Sequence, residues 1–304
     1  MAGFRKAERK QAKLRLGLVG PSGSGKTMSA LLVAFGLCEN WDDIGIVDTE
    51  SGSAELYVGS QVGDVTIGQY NVLAMSPPYE IQKYIAAIKE AEQAGLKVII
   101  LDSISHAWAG DGGLLDQKDK ITKSSKSGNS YTAWRDVTPQ HTKFIDTMLQ
   151  SSIHVIATMR AKTEYVQEKG DKGQTIIRKV GLAPVQREGM DYEFTVVFDI
   201  SHDHIASSSK DRTNLFDNRY FTPDPDTGRQ LRAWLESGVD PDVEAKKTGL
   251  AACHAKGAKS GYDHAALKVL AADMFQAESL TELSLVQLRA LYEAIPDAPK
   301  EAAL

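Results

Sequence analysis

Short, uniformly apolar runs alternate with longer stretches in which apolar residues recur every three or four positions, and this rhythm lasts to about residue 236. A run that is apolar at every position suits a strand covered on both faces, whereas a recurrence of three to four suits a helix that buries one side. The runs Leu14–Val19, Ile44–Asp48, Lys97–Asp102, Ile153–Met159 and Phe194–Ile200 read as strands, the middle ones central. Between them, Ile81 to Ala91 follows helical spacing and stops at Gly95, and the stretch around Phe144 and Leu149 does the same. Strands alternating with helices predict βαβ units, an α/β fold with a mostly parallel central sheet.

Two stretches break the rhythm. Residues 110–130 are rich in Gly, Ser and Lys, and a polar stretch of that length inside a compact domain is expected to be a mobile or functional loop. Residues 164–181 read as a hairpin turning at Gly170 to Gly173. Beyond Trp234 the pattern changes: residues 237–260 read as a linker, residues 261–296 as a small helical C-terminal unit, and residues 297–304 as a tail. Residues 1–13 form a basic N-terminal arm before a core expected over 14–236.

Composition narrows the class. With 42% apolar and 25% charged residues among 304, the chain has the make-up of a globular protein able to bury a core. No apolar run nears the roughly 18 residues of a membrane span, and GFRKAERKQAKLR lacks the apolar segment of a secretory signal, so a cytoplasmic protein without membrane contact is expected. Cys38 and Cys253 stand alone, which predicts neither a disulfide framework nor a zinc site. A net charge of −5 argues against a general nucleic-acid coat and leaves only local basic patches.

One motif carries chemistry. Gly20, Pro21, Ser22, Gly23, Ser24, Gly25, Lys26 and Thr27, followed by Met28, satisfy G-x-x-x-x-G-K-[ST] between a predicted strand and a predicted helix. Glycines let backbone N–H groups fold around phosphate oxygens, Lys26 reaches the β and γ phosphates of ATP, and Thr27 offers its hydroxyl to Mg²⁺. The magnesium also needs a carboxylate on a neighbouring strand, and KVIILDS ends in Asp102. A strand-terminal Asp can equally cap a helix; its place relative to the phosphate loop favours the metal. IGIVDTE ends in Glu50, where a base can orient attacking water, although an acid in a surface loop has the same signature.

These strand ends, Asp48-Thr49-Glu50 and Asp102-Ser103, resemble those of the RecA-like recombination ATPases. The resemblance covers about residues 14–236 and is nearest to the single-strand annealing or recombination ATPases of phage genomes. It implies a Mg²⁺-dependent ATPase with Glu50 as catalytic glutamate and Asp102 as magnesium ligand, working in a bacterial host's cytoplasm. Where that family carries a polar sensor, usually glutamine, HVIATMR places Arg160, either a phosphate sensor or a plain charge at a strand end. Lys210 and Arg212 are similar to the K-x-R pair with which ring-forming RecA-like helicases and related recombinases complete a neighbour's active site; a solvated charge cluster is the other reading.

The resemblance also implies partners. Single-stranded DNA would lie along the two anomalous segments, through Lys118, Lys120, Lys123 and Lys126 in the first and Lys169, Lys172, Arg178 and Lys179 in the second. Acids Asp116, Asp119, Glu168 and Asp171 dilute both, and merely solvated loops would look alike. Phe4-x-x-Ala7 is similar to the tether by which such recombinases hook onto the next subunit of a filament or ring. A phage single-strand-binding or replication protein is a further expected partner. Two rivals keep the same core: a ring-forming DNA translocase or helicase subunit, and a nucleotide-gated interaction protein with slow hydrolysis.

Overall fold

The computed structural model describes residues 4, 6–124, 130–169 and 175–297. The chain divides into two units, Lys13–Leu235 and a second made of Met1–Ala12 with Glu236–Leu304. In the first unit the order is β1 (Arg15–Gly20), α1 (Lys26–Cys38), β2 (Ile44–Asp48), a small hairpin of β3 (Gln61–Val62) and β4 (Val65–Thr66), β5 (Asn71–Ala74), α2 (Ile81–Gln93), β6 (Val98–Asp102), α3 (Ser105–Ala109), α4 (Leu114–Ser124), α5 (Ser130–Gln150), β7 (His154–Lys169), β8 (Thr175–Pro184), β9 (Val196–Ile200), β10 (Ala206–Asp211), β11 (Tyr220–Phe221) and α6 (Pro225–Glu236).

The main sheet runs β11-β10-β9-β1-β7-β6-β2-β5, with β8 attached to β7. Strands β1, β2 and β6 are buried at every position, which is why they read as unbroken apolar runs. One core cluster holds Tyr84, Phe144 and Ile99, another Leu16, Leu31 and Phe198. The mostly parallel α/β core matches the expected fold class, and the parallel register aligns the strand ends: Gly20 opposite Arg160, and Asp48 opposite Asp102. Helix α1 seats closely on α6, because a Cβ on Gly36 would lie 1.9 Å from the Pro225 carbonyl oxygen.

Several expectations need correcting. Strand β7 lies between β1 and β6, so Asp102 is two strands from the phosphate loop and not on its neighbour. The hairpin expected over 164–181 is present as the antiparallel pair of β7 and β8, with its turn at Gly170 to Gly173 outside the described residues; the correction is that its first arm continues the strand expected over 153–159, since β7 leaves the parallel sheet after Arg160 and runs on to Lys169. Most of the loop expected over 110–130 is helix α4, whose exposed charges pair along its own surface, Lys120 with Asp116 at 2.7 Å. Lys118 bonds Asp119 at 2.5 Å and lies over the Trp134 ring, which stacks on Trp108.

The second unit has its own core of Cys253, Leu267, Leu280, Leu288 and Leu291. The segment expected as a linker is α7 (Pro241–Lys259), followed by α8 (His264–Phe275) and α9 (Leu285–Ala294). Its start is built by the Asp240 side chain, which accepts from the Asp242 N–H at 2.8 Å, and by Pro241 in the first turn. The basic arm is tied in part to the same unit, since the Gln11 N–H donates to the Val239 carbonyl at 2.9 Å. Among the described residues no helix is long and apolar enough to cross a membrane.

Candidate functional site

The loop after β1 is shaped by glycine. A Cβ on Gly20 would lie 2.5 Å from Ser24 Oγ and 2.6 Å from the Ile200 carbonyl oxygen, so no larger residue fits. Gly25 caps α1 at φ 85°, in the left-handed region. Helix α1 then starts at Lys26 with its first N–H groups and dipole facing the loop. Lys26 Nζ donates to the Pro21 carbonyl at 2.7 Å, and Ser24 Oγ is buried with no hydrogen-bond partner among the described residues. Burial lowers the Lys26 ammonium pKa, and the nearby Asp102 charge opposes that effect.

A cavity of about 200 Å³ opens here at the carboxyl ends of the parallel strands. Ser22, Gly23, Gly25, Lys26 and Thr27 line it from the loop, beside Asp102, which is bonded to Thr27, and Glu50, Arg160, Ser53 and Tyr57 complete the lining. The expected residues Gly20, Pro21, Ser24 and Met28 shape or follow the loop without lining this cavity.

Asp102 is buried, and its two oxygens accept from different hydroxyls: Thr27 Oγ1 at 2.5 Å and Thr158 Oγ1 at 2.5 Å. Burial pushes its carboxyl pKa up, while these hydroxyls favour the charged form. Among the described residues no group of three or more His, Cys, Asp or Glu forms a metal cage. Magnesium at a phosphate site needs only one or two protein oxygens besides phosphate and water, so the Thr27–Asp102 pair suits Mg²⁺. The peptide that follows Asp102 is positioned by Thr49, whose Oγ1 lies 3.0 Å from the Asp102 carbonyl oxygen, accepts the Ser103 N–H at 2.8 Å and lies 2.7 Å from His106 Nδ1.

Glu50 reaches the same cavity by a different route. Asp48 is buried and turns the chain, accepting the Glu50 N–H at 2.6 Å and the Ala54 N–H at 3.3 Å. The Glu50 carboxylate then meets Arg160: Nε donates to Oε1 at 2.9 Å and Nη2 to Oε2 at 2.5 Å. Burial alone would raise the Glu50 pKa, but the Arg160 bonds and charge outweigh it and leave the carboxyl below its ordinary value. Arg160 is pushed up by the same bonds.

Lys210 and Arg212 are not in this cavity. Lys210 Nζ donates to the carbonyls of Asp191 and Tyr192, tying β10 to the turn before β9, and Arg212 is exposed just past the end of β10. On the two basic segments, Lys123 is exposed on α4, Lys169 lies on β7, and Arg178 and Lys179 lie on β8 opposite Val166 and Tyr165. Lys126 and Lys172 fall outside the described residues.

The expected set omitted Thr158, His204, Ser53 and Tyr57. Thr158 had a signal, the one polar residue inside the apolar run HVIATM apart from its leading histidine. His204 Nδ1 lies 3.0 Å from the Ser24 carbonyl oxygen and would meet a Cβ on Gly25 at 2.9 Å, so it props the loop from 180 residues away with no sequence cue. Ser53 and Tyr57 follow a turn in which Ser51 and Gly52 both have positive φ. The sequence model of an AAA domain family matches residues 12–226. A search of the curated proteins found no match. The family match spans well over half of the 304 residues and takes in the whole phosphate loop and its facing acids, so the protein belongs to the AAA domain family and is a P-loop ATPase.

Proposed function

We propose that the protein binds Mg²⁺·ATP at this cavity and couples its hydrolysis to single-stranded DNA as a homo-oligomer, in phage recombination, annealing or replication. The observation that carries the catalytic part is the convergence of Lys26, Thr27, Asp102, Glu50 and Arg160 on one cavity at the strand ends. The loop amides and Lys26 bind the phosphates, and Thr27 and Asp102 hold the magnesium, which when bound neutralises phosphate charge. Glu50 orients a water and takes its proton as oxygen bonds to the γ phosphorus and the bond to the ADP oxygen breaks. Arg160 stands where a cation can reach the terminal phosphate.

The DNA part is supported by the resemblance and by continuity of structure. Arg160, at the cavity, and the first arm of the β7–β8 hairpin belong to one strand, so movement at the cavity has a direct mechanical route to the hairpin. Against the first basic segment, Lys118 and Lys120 already have acidic partners; that observation favours the second reading, a nucleotide-gated protein whose partner is another protein. Self-assembly is supported by β5, an edge strand beside a groove of about 190 Å³ lined by Val72, Leu73, Ala87 and Ala91, and by the fully exposed Phe4. Phe4 of one copy would fill the groove of the next. Lys210 and Arg212 would then act across the interface, Lys210 after release from its carbonyls.

The test is the ATPase rate with and without single-stranded DNA across a salt titration, alongside mass measured with a non-hydrolysable ATP analogue. Stimulation that fades with salt, together with an assembly lost in Phe4→Ala, is the expected result. A rate indifferent to DNA and raised by a protein partner would transfer the assignment to the gated reading.

A further inference from the structure

The carboxylate that would activate water is already engaged. Both oxygens of Glu50 face the fork of Arg160, at 2.9 and 2.5 Å. A carboxylate held that way has its best lone pairs occupied and is a poor acceptor for the proton of a water. Arg160 is anchored by its backbone, because its N–H donates to Ser105 Oγ at 2.9 Å and its Cα pairs with Gly20 across the β1–β7 register. Its side chain is 46% exposed, so the guanidinium can swing while the strand stays fixed. Lys26 lines the same cavity, which places the terminal phosphate it would bind within the region that Arg160 borders. A phosphate offers a guanidinium the same planar pair of anionic oxygens as a carboxylate, with more charge.

We propose that Glu50 and the terminal phosphate of a bound triphosphate compete for Arg160, so that the substrate itself releases the water-activating carboxylate and a diphosphate does not. The inference rests on the nucleotide-binding reading above and adds a coupling to it. A device of this kind blocks futile water activation until a γ phosphate is present. It also has a thermodynamic signature: weakening the Glu50–Arg160 pair must tighten binding of triphosphate and leave diphosphate alone, since a ligand shifts an equilibrium only by its differential affinity.

The experiment is equilibrium binding of Mg²⁺·ADP and of a Mg²⁺-bound non-hydrolysable ATP analogue to the full chain, for the wild type, Glu50→Gln, Arg160→Gln and the double variant. Glu50→Gln is expected to tighten the analogue about five-fold and leave ADP unchanged. Arg160→Gln is expected to weaken the analogue about ten-fold with ADP again unchanged. In the Arg160→Gln background, Glu50→Gln should have no effect on either nucleotide. Arg160→Lys keeps the charge but loses the fork, and it decides the question if Arg160→Gln does not fold; it should still free Glu50 and bind the analogue less tightly than wild type. An analogue-to-ADP affinity ratio unchanged by Glu50→Gln, or equal shifts for both nucleotides, overturns the competition while leaving nucleotide binding intact. A wild type that binds neither nucleotide overturns the binding reading, and the competition with it.

Discussion

The two sides of the cavity are built on different physics. On one side Asp102 is buried between two neutral hydroxyls, Thr27 and Thr158, beside a loop whose shape is set by Gly20 and Gly25. On the other side Glu50 is half-buried and is held by an exposed cation, Arg160, at the end of a different strand. The first side is fixed by backbone conformation and by side chains with short reach, which suits a task that does not change through a reaction cycle. The second is a two-bond ion pair between longer side chains at a partly exposed position, where another anion can compete for the cation. In the function proposed above, holding phosphate and metal would fall to the rigid side and timing to the exchangeable one.

The largest expected effect falls on the rigid side. Lys26→Ala should lower ATP turnover by at least about 10³-fold, measured as phosphate release at saturating ATP, because no other described ammonium lines the cavity. Turnover within a few-fold of wild type would show that the loop does not hold the reacting phosphates. A smaller effect is expected at the support of Asp102. Thr158→Val keeps the shape and removes one hydroxyl, and should raise the Mg²⁺ concentration for half-maximal turnover about five-fold, with the ATP requirement at saturating Mg²⁺ unchanged. An unchanged magnesium curve would mean that the strand, and not the hydroxyl, orients the carboxylate.

A test that reads stability and not turnover sharpens the comparison along β7, which carries Arg160 beside the cavity and His154 at its start. His154 is half-buried and accepts the Leu14 N–H at Nδ1, 2.9 Å away; burial first, then the charges of Lys13 and Arg15, lower its pKa to about 3 from an ordinary 6.5. Its folded-state pKa is depressed, so the unfolded chain binds the proton first. The stability it contributes is complete above pH 6.5 and is lost as pH falls from there toward 3. Between those values this group alone gives a slope of up to about 1.4 kcal/mol per pH unit. Denaturant midpoints measured from pH 7 to 4 should therefore fall less steeply in His154→Asn, which keeps an acceptor without the titration. Equal slopes in the two proteins would remove His154 from the account.

What the sequence reveals follows the same division. The rigid side is legible because a phosphate cradle needs glycines and a lysine at fixed spacing, and because buried parallel strands are apolar throughout and end abruptly in Asp102 and Asp48. The order of the strands is not legible: β7 inserts between β1 and β6, and chain order carries no trace of that crossover. A contact that crosses a long stretch of chain, such as His204 under Ser24, is invisible for the same reason, and of Thr158 only its polarity within an apolar run shows, not its bond to Asp102. A polar helix reads as a loop where its charges pair with each other, as Asp116 and Lys120 do on α4. In α7 the cue was present in Asp240-Pro241, a side-chain cap followed by a proline in the first turn. The motif Lys210-x-Arg212 reads as an exposed charged pair, yet Lys210 lies on β10 and is spent on two carbonyls of its own chain.

The central claim is that this cavity holds a triphosphate and that Glu50 drives its cleavage. Its most direct measurement is phosphate released per bound ATP in a single turnover, comparing wild type with Glu50→Gln at equal occupancy. The account predicts that Glu50→Gln retains intact ATP and releases phosphate about 10²- to 10⁴-fold more slowly. Release at the wild-type rate from bound ATP, or no ATP bound by the wild type, would contradict it.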